Sequence, residues 1–147
     1  LIAVHHWAYD EDVDTFELAS WLVPPKRIAV VGLSNKPDRP SYTVADYLLH
    51  HGFEIVPINP MIDQVFDLKA YPSMAAVPET MRIDIVDIFR RSEEVPAIVQ
   101  QVLDSNRTPL IWMQEGVISP QAQELAESHE LLVVMNQCIM KLHRSMI

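Results

Sequence analysis

Residues Arg27 to Gly52, RIAVVGLSNKPDRPSYTVADYLLHHG, constrain this chain more than any other stretch. An apolar run, Ile28-Ala29-Val30-Val31, stops at Gly32. A polar loop with two prolines follows, and Ser41 opens a helix whose apolar face includes Val44, Tyr47 and Leu48. A buried strand, a glycine turn and a helix N-terminus in that order form an anion site, because free backbone N–H groups and the positive end of the helix dipole converge there. A phosphate suits such a site, so a nucleotide-containing small molecule is the expected ligand.

The alternation continues along the chain. Strands are expected at Ile28–Val31, Phe53–Ile58, Ile83–Phe89, Pro109–Trp112 and Leu131–Met135. Helices are expected at Asp10–Leu22, Ser41–His51, Ser92–Ser105, Ser119–His129 and Cys138–Met146, with Ser119-Pro120 as cap and first residue of the fourth. The connection from Asn59 to Arg82 is long and holds a short helix at Ser73–Val77. Strands that are apolar throughout are buried on both faces, as in a parallel sheet layered by helices. The expectation is therefore an α/β, Rossmann-like three-layer sandwich with a five-stranded, mainly parallel sheet in the order 3-2-1-4-5. One domain fills residues 1–147, with 1–24 as an N-terminal helical extension.

In such sheets ligands lie beyond the carboxyl ends of the strands, where the strand order reverses. That point is expected between the first and fourth strands, at Gly32–Pro40 and Met113–Ile118. Asn59-Pro60 and Phe89-Arg90-Arg91 flank the same crevice.

Composition narrows the partners. A net charge of −9 disfavours nucleic acid and anionic membrane as general partners, and makes local cations such as Lys36, Arg39, Arg90 and Arg91 more telling. Cys138 is the only cysteine, which excludes an internal disulfide and fits a cytoplasmic protein. No basic leader and no apolar run of membrane-spanning length is seen.

The loops carry the chemistry. Gly32 begins a G-x-G-x-x-G pattern, but Ser34 holds the second glycine position. Asn59-Pro60 stands where the acidic ribose clamp of an NAD site belongs. In Pro37-Asp38-Arg39-Pro40-Ser41, two prolines stiffen the loop and Arg39 can pair with phosphate bidentately. Ser41 can cap the helix or bond a phosphate oxygen. Arg90 and Arg91 either hold phosphate or pair with Glu93 and Glu94. Gly116 lets backbone approach a ligand, and Gln114 offers donors and an acceptor. Trp112 reads as core and Glu115 as structural or solvated. Cys138 stands at a helix N-terminus, where a thiol can be activated, although a buried structural cysteine is the simpler reading. His143 does not share its helix face. No histidine has metal-ligand spacing, and no catalytic carboxylate pair is found.

Together these pieces resemble the small CoA-binding proteins related to the N-terminal nucleotide-binding domain of the succinyl-CoA synthetase alpha subunit. The resemblance rests on IAVVGLSNKPDRPSYTVADYL, GFEIVPINP, YPSM, DIVDIFRR, LIWMQEGV and VVMNQCIMKLH, and spans about Pro25 to His143. It implies a Rossmann-like domain that binds coenzyme A or an acyl-CoA through its adenosine diphosphate portion. By that resemblance Gly32, Leu33, Ser34, Lys36, Arg39 and Ser41 line the phosphate loop. Leu33 stands where the family often has a small residue. Asn59 and Pro60 lie near the nucleotide, Phe89 and Arg90 border its adenine or phosphates, and Gln114, Gly116 and Val117 close the other side. The relative's phosphorylated histidine belongs to a later domain, so its ligase chemistry is not carried over.

The resulting expectation is a binding module without catalytic machinery of its own. Two other readings stay open. One is a small enzyme, either a nicotinamide oxidoreductase or an acyl-CoA transferase using Cys138. The other is an interaction module in which the first helix, with Trp7 and Trp21, docks on a partner. A homodimer is compatible with the sequence.

Overall fold

The structure, a computed structural model, describes residues 15–147. Helix α1 (Thr15–Trp21) precedes strand β1 (Arg27–Val31), helix α2 (Pro40–His50) and strand β2 (Glu54–Ile58). A short hairpin, β3 (Gln64–Val65) and β4 (Leu68–Lys69), leads to a 3-10 turn at Met74–Ala76. Strand β5 (Ile85–Ile88) runs through a second 3-10 turn into helix α3 (Val95–Asp104). Strand β6 (Leu110–Met113), helix α4 (Pro120–Ser128), strand β7 (Val133–Met135) and helix α5 (Ile139–Met146) complete the order. Of the helix expected over Asp10–Leu22, Thr15–Trp21 is α1; the remainder of its start, and Trp7, lie outside the described residues. Among the described residues no helix is long and apolar enough to cross a membrane.

Each strand of the main sheet is apolar in both directions because both faces are covered. Ala29, Val31, Val86, Ile88, Ile111 and Met113 share one core with Val95, Val99 and Val102 of α3 and Ala122 and Ala126 of α4. Ile28, Val30, Ile85, Leu110 and Trp112 share the other with Val44, Ala45 and Leu48 of α2, Ile139 of α5, and Leu18. The three-layer architecture is thus the expected one. Ser119 caps α4 as expected, its hydroxyl accepting from Ala122 N at 3.1 Å.

The sheet is parallel throughout and runs β2-β1-β5-β6-β7. The edge beyond β2 is occupied by Tyr71, whose N–H donates to Pro57 O at 2.9 Å and whose carbonyl accepts from Asn59 N at 2.9 Å. With this bridge counted as a third position, the sheet reads 3-2-1-4-5 from that edge and β7 takes a sixth place. The strand around Ile83–Phe89 is therefore not the outer neighbour of β2. It lies beside β1, with Val31 opposite Ile88. The order consequently reverses between β1 and β5, one strand nearer than the sequence reading placed it, and the crevice opens between Gly32 and Phe89-Arg90-Arg91.

One side chain in the middle layer is out of character. Asp87, on β5 between Val30 and Trp112, is fully buried, and neither carboxylate oxygen has a hydrogen-bond partner. Burial pushes its pKa well above the usual carboxylate range, so the folded protein resists ionising it. As pH rises past the unfolded value of about 3.9, the unfolded chain gains a charge that the folded state resists, so this residue erodes stability with rising pH. The stability advantage of Asp87→Asn over the native chain should therefore grow as pH is raised from about 4 to about 7. Urea unfolding across that range measures it, and parallel stability curves would contradict it.

Candidate functional site

The site begins with a close approach of two strand ends. Gly32 follows β1 at φ +90°, and a Cβ there would sit 2.6 Å from the carbonyl oxygen of Phe89 and 2.9 Å from Arg90 Cδ. Only glycine permits both this backbone angle and this contact. Hydrogen bonds fix the approach from both sides: Gly32 N donates to Ile58 O at 2.8 Å, and Phe89 N to Val31 O at 2.8 Å.

The loop after Gly32 is held by its own side chains. Leu33 is fully buried and anchors the loop in the core. Asn59 Nδ2 donates to Leu33 O at 2.9 Å, while Asn59 Oδ1 accepts from Met61 N at 2.8 Å. Ser41 Oγ accepts from Ser34 N at 3.0 Å, and Ser34 Oγ from Lys36 N at 3.0 Å. Ser41 thus braces the loop from inside the first turn of α2 and does not cap the helix. The cap position is Arg39, followed by Pro40, and no side chain caps this N-terminus. Pro40 has no N–H, and Tyr42 N and Thr43 N already donate to Arg39 O at 3.1 Å, which leaves Ser41 N and the helix dipole to an anion.

A cleft of about 800 Å³ opens there. It is lined by Gly32, Ser34, Arg39 and Ser41 from the first loop, and by Phe89, Arg90 and Arg91 from the β5 end. Gln114, Gly116 and Val117 come from the β6 end, and Val44, Cys138, Met140 and Lys141 from the helices on one face of the sheet. Nine of the thirteen residues singled out from sequence are among these. Leu33, Lys36, Asn59 and Pro60 are not among the lining residues; Leu33 and Asn59 are spent on shaping the loop. The α5 wall was missed in sequence because it depends on where β7 delivers the chain.

The cations are arranged unequally. Arg90 Nη2 and Arg91 Nε lie 2.8 and 2.9 Å from the Glu94 carboxylate. These hydrogen bonds, from Arg91 first and Arg90 next, hold the Glu94 carboxyl below the usual range and keep it charged. Both guanidinium groups are therefore oriented by an acid that also offsets part of their charge. Among the described residues the Arg39 guanidinium has only a long contact with Asp38, at 3.9 Å. Glu115 is tied to Lys141 at 3.0 Å.

The β6 end is built as tightly. Trp112 is fully buried and donates from Nε1 to Gln137 O at 2.8 Å, so it is core as read. Gly116 has φ +88°, and its N–H donates to Asn136 Oδ1 at 2.7 Å. Among the described residues Cys138 has no hydrogen bond to an imidazole: His143 Nδ1 lies 2.7 Å from Tyr47 Oη. Among the described residues no cluster could hold a metal ion.

Fold and cleft together define a parallel α/β domain with an anion-favouring crevice at its switch point. The chain belongs to the family described as CoA binding domain, which matches residues 26–144. It is 38% identical over 127 residues to the Bacillus subtilis protein YneT, covering 86% of this chain and 92% of that one. A solved structure described as a hypothetical protein from Pyrococcus horikoshii OT3 superposes with a TM-score of 0.85 at 30% identity, covering 91% of this chain and 92% of that one. An ADP-forming acetate–CoA ligase II from Archaeoglobus fulgidus is 33% identical over 79 residues, 52% of this chain but only 11% of the ligase.

The two loop glycines make a controlled comparison. Both have positive φ, but a Cβ at Gly116 meets nothing within 4 Å. Gly116→Ala should cost only the backbone penalty, about 1 kcal/mol. Gly32→Ala adds a clash with backbone and should cost about 3 kcal/mol or more. Chemical denaturation of the two variants measures the difference, and equal losses would remove the close approach as a constraint.

Proposed function

We propose that the cleft binds coenzyme A or an acyl-CoA through its nucleotide portion, and that the chain acts as a binding module in a cytoplasmic setting. The observation that carries this reading is the convergence of the uncapped α2 N-terminus with Arg39, Arg90 and Arg91 on one cleft. Coenzyme A presents a pyrophosphate and a ribose phosphate. It therefore suits dispersed cations better than the single acidic clamp that grips the ribose of NAD. The residue at the clamp position, Asn59, already has its side chain committed to Leu33 O and Met61 N. Family membership supports the same ligand.

A binding role is favoured over catalysis because Glu115, the carboxylate on the β6 side of the cleft, is paired with Lys141 at 3.0 Å. Calorimetric titration should show coenzyme A binding clearly more tightly than NAD; no heat with coenzyme A at millimolar ligand would overturn the reading. Arg90→Glu should weaken coenzyme A binding by about tenfold or more, the worth of one charge-assisted hydrogen bond. Unchanged affinity would place Arg90 outside the contact.

A further inference from the structure

The cleft has two chemically different ends. Near Gly32 it is lined by Arg39, Arg90 and Arg91; toward α5 it is lined by Val44, Val117, Met140 and Cys138. Gln114 stands on the second side. Its side chain is buried, only 4% exposed, and its Oε1 accepts from Ile139 N at 3.0 Å, which fixes the plane of the amide. Among the described residues no hydrogen bond uses its Nε2, and the residue lines the cleft. That nitrogen is not sealed from solvent, so a ligand carbonyl can accept from it in place of water. Cys138 immediately precedes Ile139. Its side chain is buried in the protein but on the wall of the cavity.

We propose that this end of the cleft receives the pantetheine arm of coenzyme A, with Gln114 Nε2 donating to one of its amide carbonyls, and that Cys138 forms a reversible mixed disulfide with the ligand's thiol end. The inference rests on the reading of the cleft as a coenzyme A site. The co-reactant is the symmetric disulfide of coenzyme A. The Cys138 thiolate attacks one of its two sulfurs, a new Sγ–S bond forms, and the original S–S bond breaks. The departing coenzyme A thiolate takes up a proton, replacing the one Cys138 released. Cys138 is oxidised to the mixed disulfide while half of the ligand disulfide is reduced to thiol, so atoms and electrons balance. The cationic end holds the nucleotide, which raises the local concentration of the disulfide at Cys138.

The test uses the full chain under non-reducing conditions with the symmetric coenzyme A disulfide, read by intact-mass spectrometry. Because Cys138 is the only cysteine, any thiol adduct is assigned without ambiguity. One equivalent of coenzyme A should add, dithiothreitol should remove it, and Cys138→Ser should not be labelled. Labelling should be roughly tenfold or more faster than with glutathione disulfide at equal concentration, and slowed by excess adenosine 3′,5′-bisphosphate. Gln114→Leu should slow labelling while its thermal melt shows a folded protein. Equal rates with both disulfides, or no effect of the bisphosphate, would show an ordinary thiol and overturn the proposal. A parallel calorimetric titration with reduced coenzyme A separates the two claims. Binding without adduct overturns the disulfide alone; neither binding nor adduct overturns the coenzyme A reading with it.

Discussion

The contact on which this structure depends is the one between Gly32 and the carbonyl of Phe89. Two parallel strands leave the sheet side by side and their exits nearly touch, at a separation that no Cβ fits. Because β1 and β5 exit together, the α2 N-terminus and the Arg90-Arg91 pair open onto one cleft. Had another strand intervened, the same cations and the same helix dipole would stand a strand-width further apart, roughly 4.8 Å. The anion site is thus a consequence of strand order, and the strand order is fixed in part by Tyr71 closing the outer edge of β2.

The elements that can be read from the chain are those whose signal is local. Ile28–Val31 ending at Gly32, and Ser119-Pro120 opening α4, were legible because apolar runs, glycine and caps act over a few residues. The β3–β4 hairpin was not legible. Its turn places Phe66 and Asp67 at φ 57° and 59°, where Asn-Gly or Asp-Gly is the usual signal. The Phe66 ring lies 4.4 Å from that of Tyr42 on α2, a tertiary contact that favours a turn its own residues do not advertise. The place of β5 was hidden for a related reason, since pairing order is decided by edges and not by composition. At the site, sequence identified the loops at the β1, β5 and β6 ends but not which of their polar side chains are already occupied. Asn59 and Ser41 look alike as ligand groups in the chain, but Asn59 is committed to Leu33 O and Met61 N, whereas Ser41 accepts from Ser34 N and still lines the cleft.

Charge at the cleft follows the same division between holding and offering. The whole chain carries −9, so a bare cluster of arginines would be drawn to many acidic neighbours. Glu94 restricts two of them. It sits one turn along from Arg90 and Arg91 and binds both, aligning the guanidinium planes before any ligand arrives. Part of the positive field is lost to that pairing, while the rotamer entropy that binding would otherwise remove is already spent. Arg39, with only a long contact to Asp38, supplies the less neutralised charge on the opposite lip. An anion in the cleft therefore meets Arg39 beside three cations, Arg90, Arg91 and Lys141, that are each paired with a glutamate.

The α5 wall is tied to α2 through a part-buried hydrogen bond. His143 Nδ1 and Tyr47 Oη lie 2.7 Å apart, and the His51 and Phe53 rings pack against the imidazole. Burial first, and the neighbouring His51 second, lower the pKa of His143 below its usual value, which favours the uncharged ring in its hydrogen bond with the tyrosine. Tyr47 belongs to the helix whose N-terminus faces the cleft, and His143 to the helix that begins beside Cys138. The two helices are therefore joined near the end of α2 remote from the cleft. A ligand that spans from Arg39 to Cys138 bridges two surfaces already registered to each other, and binding need not bring them together.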